Sequence, residues 1–193
     1  RRSAGYSMRL LALATLLVLL AFFAAAEFAL IRLRPSRVRQ LQEDGVAGAE
    51  SVARLQQRMR RVLVATQLGA VLALVALGWA GRSLSWQLAL ALQHLNGFQV
   101  PQAWLDAALF VLLVLLATLL GGLLPKAWVL HKPEPSALIL APLLATVSRS
   151  LAPLLAVIER FSGLLLRLLG LPRNWDQLVP VLSAGELETL IET

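Results

Sequence analysis

The chain has 193 residues, of which 58% are hydrophobic, a mean hydropathy of +0.72 and a net charge of +7. Soluble domains are about half apolar or less, so this is membrane-protein composition and soluble-domain size rules do not apply. Cysteine is absent, which excludes a disulfide framework and thiolate chemistry. The 16 arginines and 2 lysines flank apolar segments and read as topology signals rather than as a nucleic-acid footprint.

Residues 10–31 form the first apolar run, long enough to cross a core of ~30 Å at ~1.5 Å per residue. The run is too long for the apolar region of a signal peptide, and no convincing cleavage site follows, so it is expected to be a retained span, TM1. Its one charged side chain is Glu27. A carboxylate inside a span is costly and usually functional, unless it lies shallow enough to reach water.

Residues 32–61 hold eight arginines and three acids. Val38, Leu41, Val52, Leu55 and Met59 recur at roughly helical spacing. This predicts two amphipathic helices, broken near Asp44 and Gly45, on the membrane surface. Residues 62–80 then form TM2, without a charge. Thr66 and Gln67 are its polar members, and Gly69, Gly78 and Gly81 allow close helix approach. In the connection 82–102, the stretch WQLALALQHL is too short to span and reads as an interfacial or half-inserted helix. Trp79, Trp86 and Trp104 cluster around it as an aromatic belt would.

TM3 covers about 104–124, with Asp106 at its start, and HKPEP then breaks the chain. Residues 136–171 are apolar but interrupted by Pro142, Arg149, Pro153, Glu159 and Arg160. Two amphipathic helices wrapping the base of the domain fit this pattern better than a clean fourth span. Within 172–193, Ser183 and Glu186 make a capping-box pattern at the start of an acidic helix. The fold class is therefore an all-α membrane protein. It has three transmembrane helices, juxtamembrane amphipathic helices and the start of a cytoplasmic acidic helix, with 1–171 as one transmembrane domain. The arginines of 32–61 put that segment inside, the N-terminus out and the C-terminus in the cytoplasm.

Four stretches in order carry a family resemblance. AFFAAAEFALIRLRPSRVRQL resembles the first-helix signature of the CNNM/CorC family of magnesium transport proteins. TQLGAVLALVALGWAG is similar to its second-helix QLG…LGW-G pattern, and LLGGLLPKAWVLHKPEPSALILAPLL to its L-G-E-x-x-P-K…P-E pattern. LSAGELETLIET resembles the acidic helix that leads, in that family, to a pair of CBS domains. The resemblance implies a homodimer in the membrane, the bacterial inner membrane here. It also implies three spans with a helical belt, and a negatively charged magnesium site near mid-membrane.

Magnesium prefers about six oxygen ligands. The family's ligands resemble a serine in the first helix, a serine or asparagine after the second-helix glycine and the glutamate of L-G-E. Here those positions are Ala24, Ala70 and Gly122. The glutamate after G-W-x-G becomes Arg82, and a histidine often found before L-G-E falls near Ala117. Glu27 thus has two readings. One is a surviving ion-pathway carboxylate and metal ligand. The other is a packing group bonded to a neighbouring helix or to Lys126.

Candidate pathway residues are Glu27, Ala24, Thr66, Gln67, Gly69, Ala70, Gly121 and Gly122. Arg32, Arg34 and Lys126 are structural or lipid-facing. No enzyme constellation is present. The function expected is a magnesium transporter or efflux protein. The alternative is a non-transporting scaffold on the same fold, with a paralogue or another membrane protein as partner.

Overall fold

A computed structural model describes residues 2–96 and 101–170 of the chain. Every regular element among them is helical. The first is α1, Arg2–Arg32. It is followed by the short helices α2, Pro35–Glu43, and α3, Ala49–Gln56. The long α4 runs Met59–Asn96. The third apolar helix is built from α5, Gln102–Leu116, a π-helical turn, Ala117–Leu123, and α6, Leu124–His131. Two more helices follow, α7, Pro133–Ser150, and α8, Ala152–Leu168.

Among the described residues, three helical segments are long and apolar enough to cross a membrane: Ser7–Arg32, Met59–Leu92 and Gln102–His131. α7 and α8 meet at 77° about Leu151, which is a bent pair and not one straight helix.

The structure departs from the expected elements in two places. The segment WQLALALQHL is not a separate interfacial helix, because α4 runs through it without a break. No proline lies between Met59 and Asn96 to stop the helix. The Ser83 hydroxyl donates back to the Ala80 carbonyl at 2.8 Å, and Ser85 Oγ lies 2.9 Å from the Arg82 carbonyl, both compatible with a continuous helix. The third apolar helix is also longer than the run 104–124 and carries the π turn. In a regular α-helix the Pro125 ring would crowd the Gly121 carbonyl, and Pro125 has no N–H to give it. The wider turn immediately before it relieves both problems. The acidic helix expected at 182–193 and its linker lie outside the described residues.

The core has two parts. One lies at the belt end, where α2, α3 and α7 pack around the C-terminal half of α1. Val52, Val129, Ala137 and Leu144 are fully buried there. The other joins α1, α4 and α5 within the spans, around Leu13, Leu20, Ala73, Leu77 and Leu113. Ala25, Ala26 and Ala29 keep the buried face of α1 small, so neighbouring helices approach closely.

Two polar devices fix the belt. The Gln56 side-chain amide donates to the Leu30 and Leu33 carbonyls at 3.0 and 2.7 Å, satisfying acceptors left open where α1 ends. Arg37 on α2 grips Glu134 on α7 with two hydrogen bonds, at 3.0 and 3.2 Å. That hydrogen bond and the Glu134 charge hold the Arg37 guanidinium above its ordinary pKa.

Candidate functional site

Glu27 lies on the half-buried side of α1, about one turn before Arg32. Its partner is Thr66 of α4, itself 1% exposed, whose Oγ1 donates to Glu27 Oε2 at 2.5 Å. No ion pair joins Glu27 to Lys126, which is exposed. The second carboxylate oxygen, Oε1, has no hydrogen-bond partner among the described residues. Thr66 Oγ1 also lies 3.1 Å from the carbonyls of Val62 and Leu63. A hydroxyl has one proton to give and lone pairs to receive another. The hydroxyl therefore has three acceptors within reach and one proton to share among them.

The other candidate residues are spread along the bundle axis. Gly69, one turn from Thr66, is covered by the Phe23 ring, which a Cβ on Gly69 would overlap. Ala70 is half-buried and packs against both parts of the core. Ala24 is half-buried on α1. Gly121 of the π turn rests on the Leu20 side chain, and a Cβ there would overlap it. Leu20 precedes Glu27 by seven residues, about 10 Å along α1 at ~1.5 Å per residue. Glu27 and the π turn thus sit about two turns apart, whereas magnesium–oxygen bonds are about 2.1 Å. Gly122 is half-buried and makes no close approach. Gln67 is exposed, on a different face from Thr66. Arg32 and Arg34 are exposed, with the Arg32 guanidinium 5.9 Å from the centre of the Phe28 ring. Among the described residues no three His, Cys, Asp or Glu side chains gather as a metal site.

A second polar cluster ties α4 to α5 at the opposite end of the spans. Ser85, fully buried, donates to Asp106 Oδ1, and Gln102 Nε2 donates to the same oxygen at 3.0 Å. Nearby, Arg9 of α1 donates to the Ser83 carbonyl at 2.7 Å. The Gln87 amide, turned with its oxygen toward the guanidinium, accepts from Arg9 at 3.0 Å. Reading the apolar runs one at a time misses this cluster. The available signal is that Asp106 and Ser85 are polar residues at the same end of two adjacent spans.

Three apolar spans and a helical belt at one end fit an integral membrane protein. The family model for the cyclin M transmembrane N-terminal domain matches residues 10–193, and the chain belongs to this CNNM family. The family is associated with divalent-cation transport. The chain is 34% identical to the uncharacterized protein Rv1841c of Mycobacterium tuberculosis, over 89% of this chain and 49% of that one. It is 29% identical to the UPF0053 protein YrkA of Bacillus subtilis, over 86% of this chain and 38% of the relative. For the UPF0053 protein YugS of the same organism the figures are 27%, 95% and 43%. The chain therefore spans about half or less of the length of these relatives.

Proposed function

We propose that this chain is the membrane domain of a divalent-cation transporter with magnesium as its cargo, and that Glu27 is the carboxylate on the belt side of the ion path. The observation that carries this reading is the Glu27–Thr66 pair. A carboxylate is kept within a span, positioned through one oxygen, and its other oxygen is left open to a cation. Side-chain ligands are missing at Ala24, Ala70 and Gly122. The ion therefore passes Glu27 with much of its water retained, as suits a cation that dehydrates reluctantly. The eight arginines of residues 32–61 support placing the belt in the cytoplasm and the N-terminus outside. The bacterial relatives support an inner-membrane location. A homodimer, with CBS domains following in the whole protein, is part of the same proposal.

The test is thermal unfolding of the purified protein in detergent against magnesium, with calcium and sodium as controls. A saturable, magnesium-selective rise in Tm is expected, because a ligand that binds only the folded state stabilises it. The rise should vanish in Glu27→Gln while the unliganded Tm stays close to that of the parent. A flat magnesium response in the parent overturns direct binding by this chain.

The packing of Phe23 over Gly69 favours a second reading, a non-transporting scaffold. An apolar ring occupies the helix interface beside the expected ligand positions. On that reading the parent is inert to magnesium, and the triple change Ala24→Ser, Ala70→Asn, Gly122→Glu creates a magnesium-dependent Tm shift.

A further inference from the structure

A groove of about 740 Å³ runs between α4 and α5. Its volume lies in the range of small-molecule sites, roughly 300–1,000 Å³. Its walls are apolar over most of their length, from Leu74 and Leu77 to Leu113 and Ala117. At one end only, it reaches three polar side chains, Arg82, Ser85 and Asp106. From Asp106 to Ala117 the helix advances about 16 Å at ~1.5 Å per residue, close to the depth of one leaflet of a ~30 Å core. Exposed Trp86 and Trp104 mark the polar end as the level of the head groups, where such rings collect.

The two charges at that end act on each other through space but form no ion pair. Asp106 Oδ1 is held by Ser85 and Gln102, but Oδ2 has no partner among the described residues. Arg82 is exposed, and its guanidinium makes no hydrogen bond or ion pair to a described side chain, Asp106 included. One open carboxylate oxygen and one open guanidinium, at the mouth of a slot one leaflet deep, match a head group with an ammonium beside a phosphate. An anionic head group would meet Asp106 as a like charge. A trimethylated ammonium has no N–H to give to Oδ2.

We propose that the α4–α5 groove is a binding site for one bilayer phospholipid of the ethanolamine type. One acyl chain lies along Gly78, the ammonium faces Asp106 and the phosphate faces Arg82. Gly78 suits this role because a side chain there would point into open space, the slot itself. Gly81 suits it differently. Its missing Cβ lets Leu113 close over α4 and form the floor.

The test is native mass spectrometry of the full chain, delipidated in detergent. It is then offered phosphatidylethanolamine, phosphatidylcholine and phosphatidylglycerol of identical acyl composition. The expected result is one phosphatidylethanolamine retained per chain, in preference to the other two by roughly tenfold, the scale of one charge-assisted hydrogen bond. Asp106→Asn, which still accepts from Ser85 and Gln102, should erase the preference between head groups. Gly78→Phe, which fills the slot, should remove the bound lipid altogether. Circular dichroism checks that both variants keep their helix content. Equal retention of the three lipids by the parent overturns the proposal, as does undiminished retention in Gly78→Phe. A Gly78→Phe protein that loses oligomeric mass but keeps its lipid would assign the groove to a second copy of the chain, and the proposal would fall.

Discussion

The hydroxyl of Thr66 on α4 donates to the carboxylate of Glu27 on α1 at 2.5 Å, and this one bond joins the first two spans at the level where α1 leaves the apolar core. Thr66→Val keeps the shape of the side chain and removes its donor. The variant should lose about 0.5–2 kcal/mol, the range spanned by interhelical hydrogen bonds in membranes and partly buried acceptors in proteins. Glu27→Gln retains an oxygen that accepts from Thr66 and should cost less than Thr66→Val. Denaturant unfolding in mixed micelles measures both. A Glu27→Gln loss larger than that of Thr66→Val would mean that the charge itself holds the fold.

Phe23 and Gly69 form the close contact of the same interface. A methyl group at Gly69 would overlap the ring, and a phenyl edge held between two helices has little room to turn aside. Gly69→Ala should therefore cost about 1–3 kcal/mol, the usual penalty of overpacking. Phe23→Ala opens a cavity and is expected to cost about 3–5 kcal/mol alone. Because the two residues share one space, the double variant should be more stable than the sum of the single losses predicts. A strictly additive double-mutant cycle would show that the ring and the glycine do not act on each other.

The spans and the break between α2 and α3 were legible because hydropathy and helical period report them directly. Val38 and Leu41, and then Val52 and Leu55, are the buried residues that their spacing marks. The extension of α4 through Trp86 was not. A fall in hydropathy there looks like a boundary, yet helices end at backbone breakers or caps, and none intervenes. The π turn left only indirect signs, Gly121, Gly122 and Pro125, which equally fit a packed glycine pair. Glu27 stood out as a charge in an apolar run. Thr66 stood out as a polar member of TM2, but the pairing of the two did not, because a single helix shows which residues share its face and not which neighbour meets that face.

Gln56 closes the end of α1 from another helix. The Leu30 carbonyl lies in the last turn of α1 and the Leu33 carbonyl just past its end, with Pro35 following. Gln56→Leu keeps the bulk but leaves both acceptors unanswered in a partly buried place. A loss of about 1–3 kcal/mol is expected, with faster proteolysis between Arg32 and Pro35. Gln56→Glu removes the donors and adds a charge beside two carbonyls, and should be worse. A Gln56→Glu variant as stable as the parent would show that the carbonyls find water instead.

Gly45 and Gly48 separate two costs that usually occur together. Both adopt positive φ, +68° and +90°, in the link between α2 and α3. A Cβ on Gly45 would meet nothing within 4 Å, so Gly45→Ala should carry only the backbone penalty of the left-handed region, about 1–2 kcal/mol. A Cβ on Gly48 would fall 2.5 Å from the Leu138 carbonyl oxygen of α7, which is backbone and cannot swing away. Gly48→Ala should therefore pay the same backbone penalty and also push α3 off α7, where Ala49 and Val52 are buried. The Tm of Gly48→Ala is expected to fall well below that of Gly45→Ala. Equal losses would mean that the belt helices separate at little cost, and that the packing of α3 on α7 adds little to the stability of the domain.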